Sequence, residues 1–435
     1  MKRVFLILLA MVLAISMVAV GCPEPIDDDE IPPEPEKIVI GMSKSETGPL
    51  ADIHAGAALP ILLTHPVFKP VAQGGGVYLS EYDKTVPVEQ LIYDDGSDVG
   101  TMIENTTKLI TVDEVDFLWG ATGTAMISAQ APVANAYEMV LMTMEGGATH
   151  IKDEELPGLR YLFVTLSFSD WYQIPVLADI LADAGAETAF IAYIDDEHGL
   201  EYLEEAQDFF PPAGIEIVGT PFPMGYDFTE FPSVIAAAEA SGADVFCGFA
   251  YPDQVVPLTG VARALDYNPN AMIFGPGANF GFYPFFAELT PADVEGVLCF
   301  AVGNRKTSPA MSSMFDAIEA TMNVVMEPAG LPGAWFLDWW GHPLYWAMAD
   351  IWKEAVEAVG YVDQELLRDE LAGRGPGDPF TTVLGPTWYT MFPPGGGILA
   401  HECHTGQIGQ WQGGIVEIVG GDITTADFVY PKPAW

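Results

Sequence analysis

The fold of this chain is indicated most clearly by residues 115–136, which read VDFLWGATGTAMISAQAPVANA. The first five residues are typical of a buried strand, the next five form a small-residue loop, and a helix is predicted to begin near Ala125. The apolar face predicted for this helix consists of Met126, Ala129, Val133 and Tyr137. A strand that enters a helix through glycine and threonine leaves backbone N–H groups exposed at its carboxyl end, where an electron-rich group can bind. Ligand crevices of open α/β sheets lie at that end, so this turn is predicted to be half of a ligand-binding cleft.

The same order of strand, polar turn and helix repeats along the chain. The predicted strands end in polar or aromatic turns at residues 43–49, 94–98, 120–124, 145–147, 195–199, 251–253 and 275–279. Such alternation implies parallel βαβ units. Because 435 residues are too many for one ordinary core, two lobes are expected. The predicted fold class is therefore α/β, with two Rossmann-like lobes built on parallel sheets.

The composition argues against nucleic acid as a partner. The chain has 16 Lys and Arg against 61 Asp and Glu, which gives a formal net charge of −45 at pH 7. Phosphate binding needs a basic surface, and this chain does not have the residues to build one. Acidity of this kind bears on solubility rather than on the fold.

The N-terminus resembles a bacterial lipoprotein signal. Lys2 and Arg3 precede an apolar run over residues 4–20, and Gly21 is followed by Cys22. In this interpretation residues 1–21 are removed and Cys22 carries the lipid. A plain secretory signal or a short membrane anchor is the alternative, although the run is short for a membrane span. Residues 22–37 are acidic and rich in proline, so they are predicted to form an extended tether.

The sequence contains no strong motif for catalysis or metal binding. Cys247, Cys299 and Cys403 allow at most one disulfide within the folded part, so the chain is not a disulfide scaffold. Residues 401–404, HECH, have metal-ligand types but lack a second cluster. GxSxG, Walker A and HExxH motifs are absent, and no nucleophile is paired with a base. We therefore expect no catalytic residue, no metal site and no cofactor.

Several motifs in a fixed order carry a family likeness. They are Thr47-Gly48-Pro49 after the first strand, Asp94-Asp95-Gly96-Ser97-Asp98 after the second, the 120–124 loop with Ala131-Pro132-Val133-Ala134, the turns at 195–199 and 251–253, and the closing segments 409–411 and 430–433. In this order they resemble the extracytoplasmic solute-binding proteins of ABC transporters, in the branched-chain amino acid (Leu/Ile/Val) group with the type 1 periplasmic binding protein fold. The likeness runs from Ile38 to the C-terminus, and its strength lies in the order of motifs that are weak individually.

The resemblance implies two lobes joined by three crossing segments, with a ligand between lobes that hinge shut around it. By analogy the crossings lie near residues 163–168, 300–304 and 383–386. The first lobe is then residues 38–163 with 303–383, and the second is residues 164–302 with 384–435.

The resemblance also supplies candidate ligand-binding residues. They are Ser45, Thr122, Gly123, Thr124, Glu145, Gly146, Gly147, His198, Tyr251 and Gly277. In the family, the turn at 122–124 receives a ligand carboxylate, although a helix N-cap would use the same threonine. Glu145 is interpreted either as a partner for an ammonium group or as a solvated loop end. His198 either contacts the ligand or is a surface histidine, and Tyr251 either closes over the ligand or is a buried rim residue.

One departure from the family leaves the ligand open. Members that bind aliphatic amino acids carry an acidic residue after Gly-Pro at the last strand end of the second lobe, but here Gly275-Pro276 is followed by Gly277. Either Glu145 or a neighbouring Asp supplies the negative charge, or the ligand lacks an ammonium group, as amides, urea-like compounds and aromatic or short carboxylates do. Trp171, Trp339 and Trp340 are candidates for an apolar sub-pocket, and helix core is the alternative.

The function implied by the resemblance is that of a binding protein rather than an enzyme. It would be anchored by lipid outside the cytoplasm, in the periplasm or at the cell surface. There it would capture an amino acid or a related amide or carboxylate and deliver it to the permease of an ABC transporter. A ligand-sensing receptor of the same fold is the alternative, and a secreted hydrolase that uses the acidic strand ends is a third.

Overall fold

The computed structural model describes residues 31–144, 146, 158–166, 173–404 and 406–435. Pro35–Trp435 form one compact unit, and all strands and helices given below belong to it. The predicted signal peptide, Cys22, Glu145, Gly147 and Trp171 lie outside the described residues. Within the described part of the chain, no helix has both the length and the apolarity that a membrane span needs.

The described strands form two main sheets and two small hairpins. In chain order the strands are β1 Ile38–Lys44, β2 Val77–Leu79, β3 Lys84–Val86, β4 Val88–Asp94, β5 Phe117–Trp119, β6 Leu141–Thr143, β7 Leu162–Val164, β8 Thr188–Ile194, β9 Glu216–Ile217, β10 Phe222–Met224, β11 Val245–Phe249, β12 Ala271–Phe274, β13 Leu298–Phe300, β14 Phe380–Thr382, β15 Gly385–Thr387, β16 Tyr389–Met391, β17 Gly397–Leu399, β18 Ile408–Gln412 and β19 Ile415–Gly420. The first sheet has the order β16-β17-β7-β6-β5-β1-β4, and the second has the order β10-β8-β11-β12-β13-β18-β19 with β9 beside β8. The hairpins are β2–β3 and β14–β15.

Parallel pairing dominates both sheets, which confirms the predicted α/β class. In the first sheet β4, β1, β5, β6, β7 and β17 are parallel in turn, and only β16 runs antiparallel to its neighbour. In the second sheet β11 lies on one side of β8, and β9 and β10 pair with its other side. Strands β8 to β13 are parallel, while β18 and β19 add an antiparallel edge. The central strands are apolar on both faces because helices cover each side of a parallel sheet.

The described α-helices follow the strands as the alternating pattern predicts. They are α1 Ala51–Ile53, α2 Leu59–Thr64, α3 Val99–Thr111, α4 Thr124–Ala136, α5 Ile174–Asp183, α6 Glu197–Phe209, α7 Phe231–Ser241, α8 Pro252–Ala264, α9 Tyr283–Phe286, α10 Pro309–Val325, α11 Gly341–Val359 and α12 Gln364–Gly373. A π-helical turn, His54–Ala58, joins α1 to α2.

The order of the strands shows that the chain passes between the two sheets three times. It leaves the first sheet after β7, leaves the second after β13, and crosses finally between β17 and β18. The last passage differs from the expectation of a crossing near residues 383–386, since β16 and β17 belong to the first sheet. We therefore propose that the first lobe extends to Leu399 and that the second lobe resumes at Ile408.

The opening stretch forms the centre of the first lobe. Strand β5 lies between β1 and β6, and Trp119 is fully buried with its ring 6.0 Å from that of Trp352 on α11. Helix α4 begins at Thr124, one residue before the predicted start, but its buried face differs from the prediction. The buried residues are Thr124, Met126, Ile127, Gln130, Ala131 and Ala134. Val133 is only partly buried and Tyr137 is 48% exposed. The prediction was therefore wrong, because the buried face is rotated about the helix axis relative to the predicted one.

A buried glutamine explains how α4 is held against its turn. Gln130 accepts a hydrogen bond from the Ala121 N–H at 2.7 Å and donates one to the Thr106 hydroxyl on α3 at 3.1 Å. Both bonds are buried, so the polar side chain satisfies a loop N–H that water cannot reach.

We expect Gln130→Met to lower the free energy of unfolding by about 1–3 kcal/mol, because the Ala121 N–H would lose its buried acceptor. Urea unfolding followed by circular dichroism measures the change. Gln207 is exposed on α6, and Gln207→Met should shift stability by less than about 0.5 kcal/mol. Equal effects of the two substitutions would contradict this account of the turn.

Candidate functional site

A cavity of about 60 Å³ lies where the carboxyl ends of strands from both sheets meet. The lining residues on the side of the first sheet are Ile53, Ala57, Gly123, Thr124, Met144, Gly146 and Leu166. Those that follow strands of the second sheet are His198, Glu201, Tyr202, Tyr251, Pro276, Asn279 and Phe280, and Asp338, Trp340 and Gly341 complete the wall.

Aromatic rings form a continuous wall on the side of the second sheet. The His198 ring is stacked on Tyr251 with centroids 5.1 Å apart, and on its other side Tyr202 is 4.7 Å away. Tyr202 in turn contacts Phe300, which contacts Trp340 at 5.7 Å. Rings at these spacings attract one another through their edges and faces, which stabilises the wall.

The central histidine of this wall is held in its neutral form. His198 is buried, and burial lowers its pKa more than the nearby Asp196 carboxylate raises it. Its Nε2 lies 3.4 Å from the carbonyl oxygen of Gly275, so Nε2 carries the proton and donates. The ring therefore presents an apolar, uncharged surface to the cavity.

The opposite side of the cavity is the start of α4. Gly123 is the N-cap residue of this helix and Thr124 is its first residue, and no side chain caps the helix. By contrast, Asp98 caps α3 and Asp196 caps α6. The start of α4 thus offers backbone N–H groups and a partial positive charge to an electron-rich group of a ligand.

Asp338 and Trp340, in residues 337–340, here called the interlobe segment, line the floor of the cavity. The Asp338 Oδ1 accepts hydrogen bonds from Asn279 Nδ2 at 2.7 Å and from the Trp340 N–H at 2.9 Å. The Asp338 N–H donates to His342 Nδ1 at 3.2 Å, and His342 Nε2 donates to the carbonyl oxygen of Gly56 at 2.9 Å. A chain of buried hydrogen bonds thus joins the loop after β12 to the π-helical turn after β1.

The π-helical turn that follows β1 packs closely against this floor. A Cβ atom at Gly56 would lie 2.6 Å from Cε1 of Phe280, which is closer than real Cβ contacts. Glycine is therefore required where the π-helical turn packs against the loop after β12. At the outer rim, Ser128 on α4 donates to Glu197 on α6 at 3.3 Å, and this contact is exposed.

The structure brings five of the predicted site residues to one cavity. Gly123, Thr124, Gly146, His198 and Tyr251 all line it. Gly123, Thr124 and Tyr251 also border an adjoining space of about 300 Å³ that is lined by Ser97, Asp196, Glu197 and Tyr226 among others. Glu145 and Gly147 lie outside the described residues, so their predicted roles remain predictions.

Three predicted site residues are not among those that line the cavity. Ser45 donates to Asp95 at 2.7 Å in a buried contact behind the first strand end, and Thr122 is fully buried. Gly277 has a positive φ of 143°, and a Cβ there would lie 2.8 Å from Val255 Cγ1. An acidic side chain at position 277 therefore does not fit this backbone. Of the proposed tryptophans, Trp340 lines the cavity, whereas Trp339 packs edge-on against Trp411 at 5.5 Å.

Sequence reasoning missed five polar or aromatic residues of the cavity, namely Glu201, Tyr202, Asn279, Phe280 and Asp338. Glu201 and Tyr202 follow His198 by three and four positions on α6, so helical spacing alone places all three on one face and was a usable signal. Asn279 lies in the turn at residues 275–279 that the sequence predicts at a strand end, but Gly277 in the same turn was named as the candidate ligand-binding residue instead. Asp338 is distant in sequence from its partners, and no local pattern points to it.

The cysteines and the HECH segment lie apart from this cavity. Cys247, Cys299 and Cys403 are buried and free, so no disulfide joins them. Within the described residues, no three His, Cys, Asp or Glu side chains are grouped in a way that could hold a metal ion.

Comparison with known proteins places the chain in a family. The model of the periplasmic binding protein family matches residues 37–409. The chain belongs to the periplasmic binding protein family. Proteins of this family act outside the cytoplasm as binding proteins, and the match covers the first sheet, the second sheet up to the start of β18, and the whole cavity.

Solved structures with low sequence identity share the fold. A solute-binding protein of an ABC transporter from R. palustris, in complex with benzoate, is 18% identical with a TM-score of 0.68, over 92% of this chain and 97% of that chain. The leucine-binding protein LivK from Thermotoga maritima is 15% identical with a TM-score of 0.64, over 88% and 97%. LivJ from Streptococcus pneumoniae, in complex with isoleucine, is 16% identical with a TM-score of 0.65, over 91% and 100%. These similarities support the two-lobed fold.

The buried His342 makes stability depend on pH. Burial lowers its pKa from 6.5 to about 3, so between these values the unfolded chain binds more protons than the folded protein. The resulting stability is fully present above about pH 6.5 and is lost as the pH falls towards 3.

We expect His342→Gln, measured by urea unfolding from pH 4.5 to 7.5, to reduce the slope of stability against pH by up to about 1.4 kcal/mol per pH unit. A wild-type slope in His342→Gln would refute the assignment.

Proposed function

We propose that this periplasmic binding protein is a lipid-anchored solute receptor that captures a small solute in the cavity between its lobes and delivers it to an ABC permease. The observation that carries the proposal is the cavity itself, because strand ends of both sheets line it. A ligand that touches both sides favours the closed arrangement by its contacts to each lobe.

The proposed ligand contacts divide between the two sides. On the first side, backbone N–H groups at the start of α4 and the Thr124 hydroxyl bind an electron-rich part of the solute. On the second side, His198 and Tyr251 pack against its apolar part. A helix start faced by aromatic rings suits an amino acid or a related amide or carboxylate. LivJ bound to isoleucine and the R. palustris protein bound to benzoate have the same fold, which supports a small organic solute.

A thermal-shift screen tests the proposed binding function. The panel contains amino acids, amides, amines, and aromatic and aliphatic acids. A true ligand at a hundred times its dissociation constant should stabilise the protein by about 2.7 kcal/mol, and the ligand should be recovered unchanged. Hydrolysis of a bound ester or amide would contradict a pure binding role.

The double variant Thr124→Ala/Tyr251→Ala tests the position of the site. We expect it to abolish the stabilisation by ligand, since it removes one contact from each side of the cavity. Tyr137→Ala alters an exposed tyrosine just after the same helix and serves as the control that keeps full stabilisation. Stabilisation that survives in the double variant would show that the ligand binds elsewhere.

The proposed anchor is tested separately at Cys22. In a bacterial expression host that processes lipoproteins, the wild-type chain should fractionate with membranes and incorporate labelled fatty acid. Cys22→Ser should release the protein into the soluble extracytoplasmic fraction, because the lipid-bearing residue is absent. Membrane association that persists in Cys22→Ser would favour a plain membrane anchor.

A further inference from the structure

A second space adjoins the cavity and is here called the vestibule. It has a volume of about 300 Å³, and Gly123, Thr124 and Tyr251 border both spaces. Its other lining residues include Val99 at the start of α3 in the first lobe and Tyr226 after β10 in the second lobe. A molecule in the vestibule would therefore contact both lobes, as a molecule in the cavity would.

The cavity and the vestibule differ in size and in exposure. The cavity has a volume of about 60 Å³, whereas a cavity of about 150 Å³ holds one benzene molecule. The cavity can therefore take only a few heavy atoms of a solute. Its lining residues Ile53, Tyr251 and Phe280 are buried, but Val99 and Tyr226 in the vestibule are 38% and 40% exposed. A solute that is larger than a few atoms would thus extend into the vestibule, towards the protein surface.

Hydrogen bonds hold the aromatic side of the vestibule in place. The Tyr226 hydroxyl donates to Asp196 Oδ2 at 2.7 Å, and Gln254 Nε2 donates to the Tyr226 carbonyl oxygen at 3.2 Å. The Tyr226 ring lies nearly parallel to the Tyr251 ring, with an angle of 5° between their planes and centroids 6.0 Å apart. Aromatic rings attract other rings and apolar groups, so Tyr226 is suited to pack against an apolar extension of a solute.

The border between the two spaces lies at the start of α4, where a glycine keeps it open. A Cβ atom at Gly123 would lie 3.2 Å from Leu50 Cδ1, which is closer than most Cβ contacts. Thr124, the next residue, begins the helix, and no side chain caps it. An acceptor group of the solute that binds at this helix start would therefore lie between the cavity and the vestibule.

The position of this border restricts the chemistry of the acceptor group. A carboxylate or a primary amide ends a chain, so its carbonyl carries a carbon chain on one side only. The carbonyl of an N-substituted amide is followed by a carbon chain on one side and by a substituted nitrogen on the other. Such a carbonyl can bind at the helix start while one substituent enters the cavity and the other enters the vestibule.

We propose that the vestibule is a second subsite and that the solute is an N-substituted amide, the linkage found in peptides. Its short acyl group lies in the cavity, its carbonyl oxygen accepts from N–H groups at the start of α4, and its N-substituent packs on Tyr226. This inference rests on the proposed function, because it names the class of solute for the same site.

Two pairs of compounds test the extended shape of the solute. The first is propanamide and N-benzylpropanamide, and the second is alanine and alanylphenylalanine. Within each pair the group that enters the cavity is constant, and only the second compound has an aromatic group that can reach the vestibule. Isothermal titration calorimetry should show, in at least one pair, that the extended compound binds at least tenfold more tightly than the short one.

Substitutions in the vestibule locate the extension. Tyr226→Ala removes the ring, and Val99→Trp fills the space from an exposed position, so each should weaken binding of the extended compound at least tenfold and of the short compound less than twofold. Tyr137→Ala and Val112→Trp make the same changes at exposed positions that do not line the vestibule, and they should change either affinity less than twofold. Unfolding midpoints show whether each variant is folded at the temperature of the titration, and either vestibule variant that is folded decides the test.

The outcomes separate this inference from the proposed function. Equal or weaker binding of the extended compound in both pairs would overturn the amide assignment and leave solute binding intact. The same conclusion follows if the folded vestibule variants keep the affinity for the extended compound, or if the thermal-shift screen finds a ligand and none of these four compounds binds. If no compound of either set binds, the proposed function fails and the amide assignment fails with it.

Discussion

The hydrogen bonds of Asp338 and His342 fix the geometry on which the candidate site depends. Asp338 joins the loop after β12 through Asn279, and His342 joins the π-helical turn after β1 through the Gly56 carbonyl. Each group is buried, and a buried donor or acceptor that loses its partner costs about 1–3 kcal/mol. The two strand ends are therefore held in a defined relation at the floor of the cavity. His342 can accept and donate at once only because it is neutral, which follows from its burial.

Contacts at the rim of the cleft differ physically from those at its floor. The Ser128–Glu197 bond is exposed, and an exposed hydrogen bond adds little to stability because water replaces either partner at small cost. The floor bonds are shielded from water and are costly to break. This distribution suits a protein whose lobes separate at the rim while the interlobe segment stays in place. It also explains why a ligand that bridges His198 and Thr124 would decide whether the rim is closed.

The sequence predicted the fold where local patterns determine it and failed where long-range packing does. Alternating strands and helices were enough to predict two parallel α/β lobes, and the turn before α4 was located within one residue. The prediction for the buried face of α4 was wrong because alanines and small polar residues occur on every side of this helix, so no apolar stripe dominates. The hydrogen bond between Gln130 and the Ala121 N–H determines which face is buried. The third crossing was placed too early because β16 and β17 form an antiparallel hairpin, which the βαβ pattern does not predict.

The same division between local and long-range information explains which residues of the candidate site could be predicted from the sequence. Gly123, Thr124, His198 and Tyr251 follow strand ends, and the position of strand ends can be read from periodicity. Asp338 follows no strand and reaches the cavity only because the interlobe segment pairs with residues 279–281. The acidic side chain that the family resemblance led us to look for at position 277 has no room there, since Val255 occupies the space of a side chain. The acidic residues of the described cavity lining, Glu201 and Asp338, lie instead on α6 and in the interlobe segment, at positions that local sequence pattern did not single out.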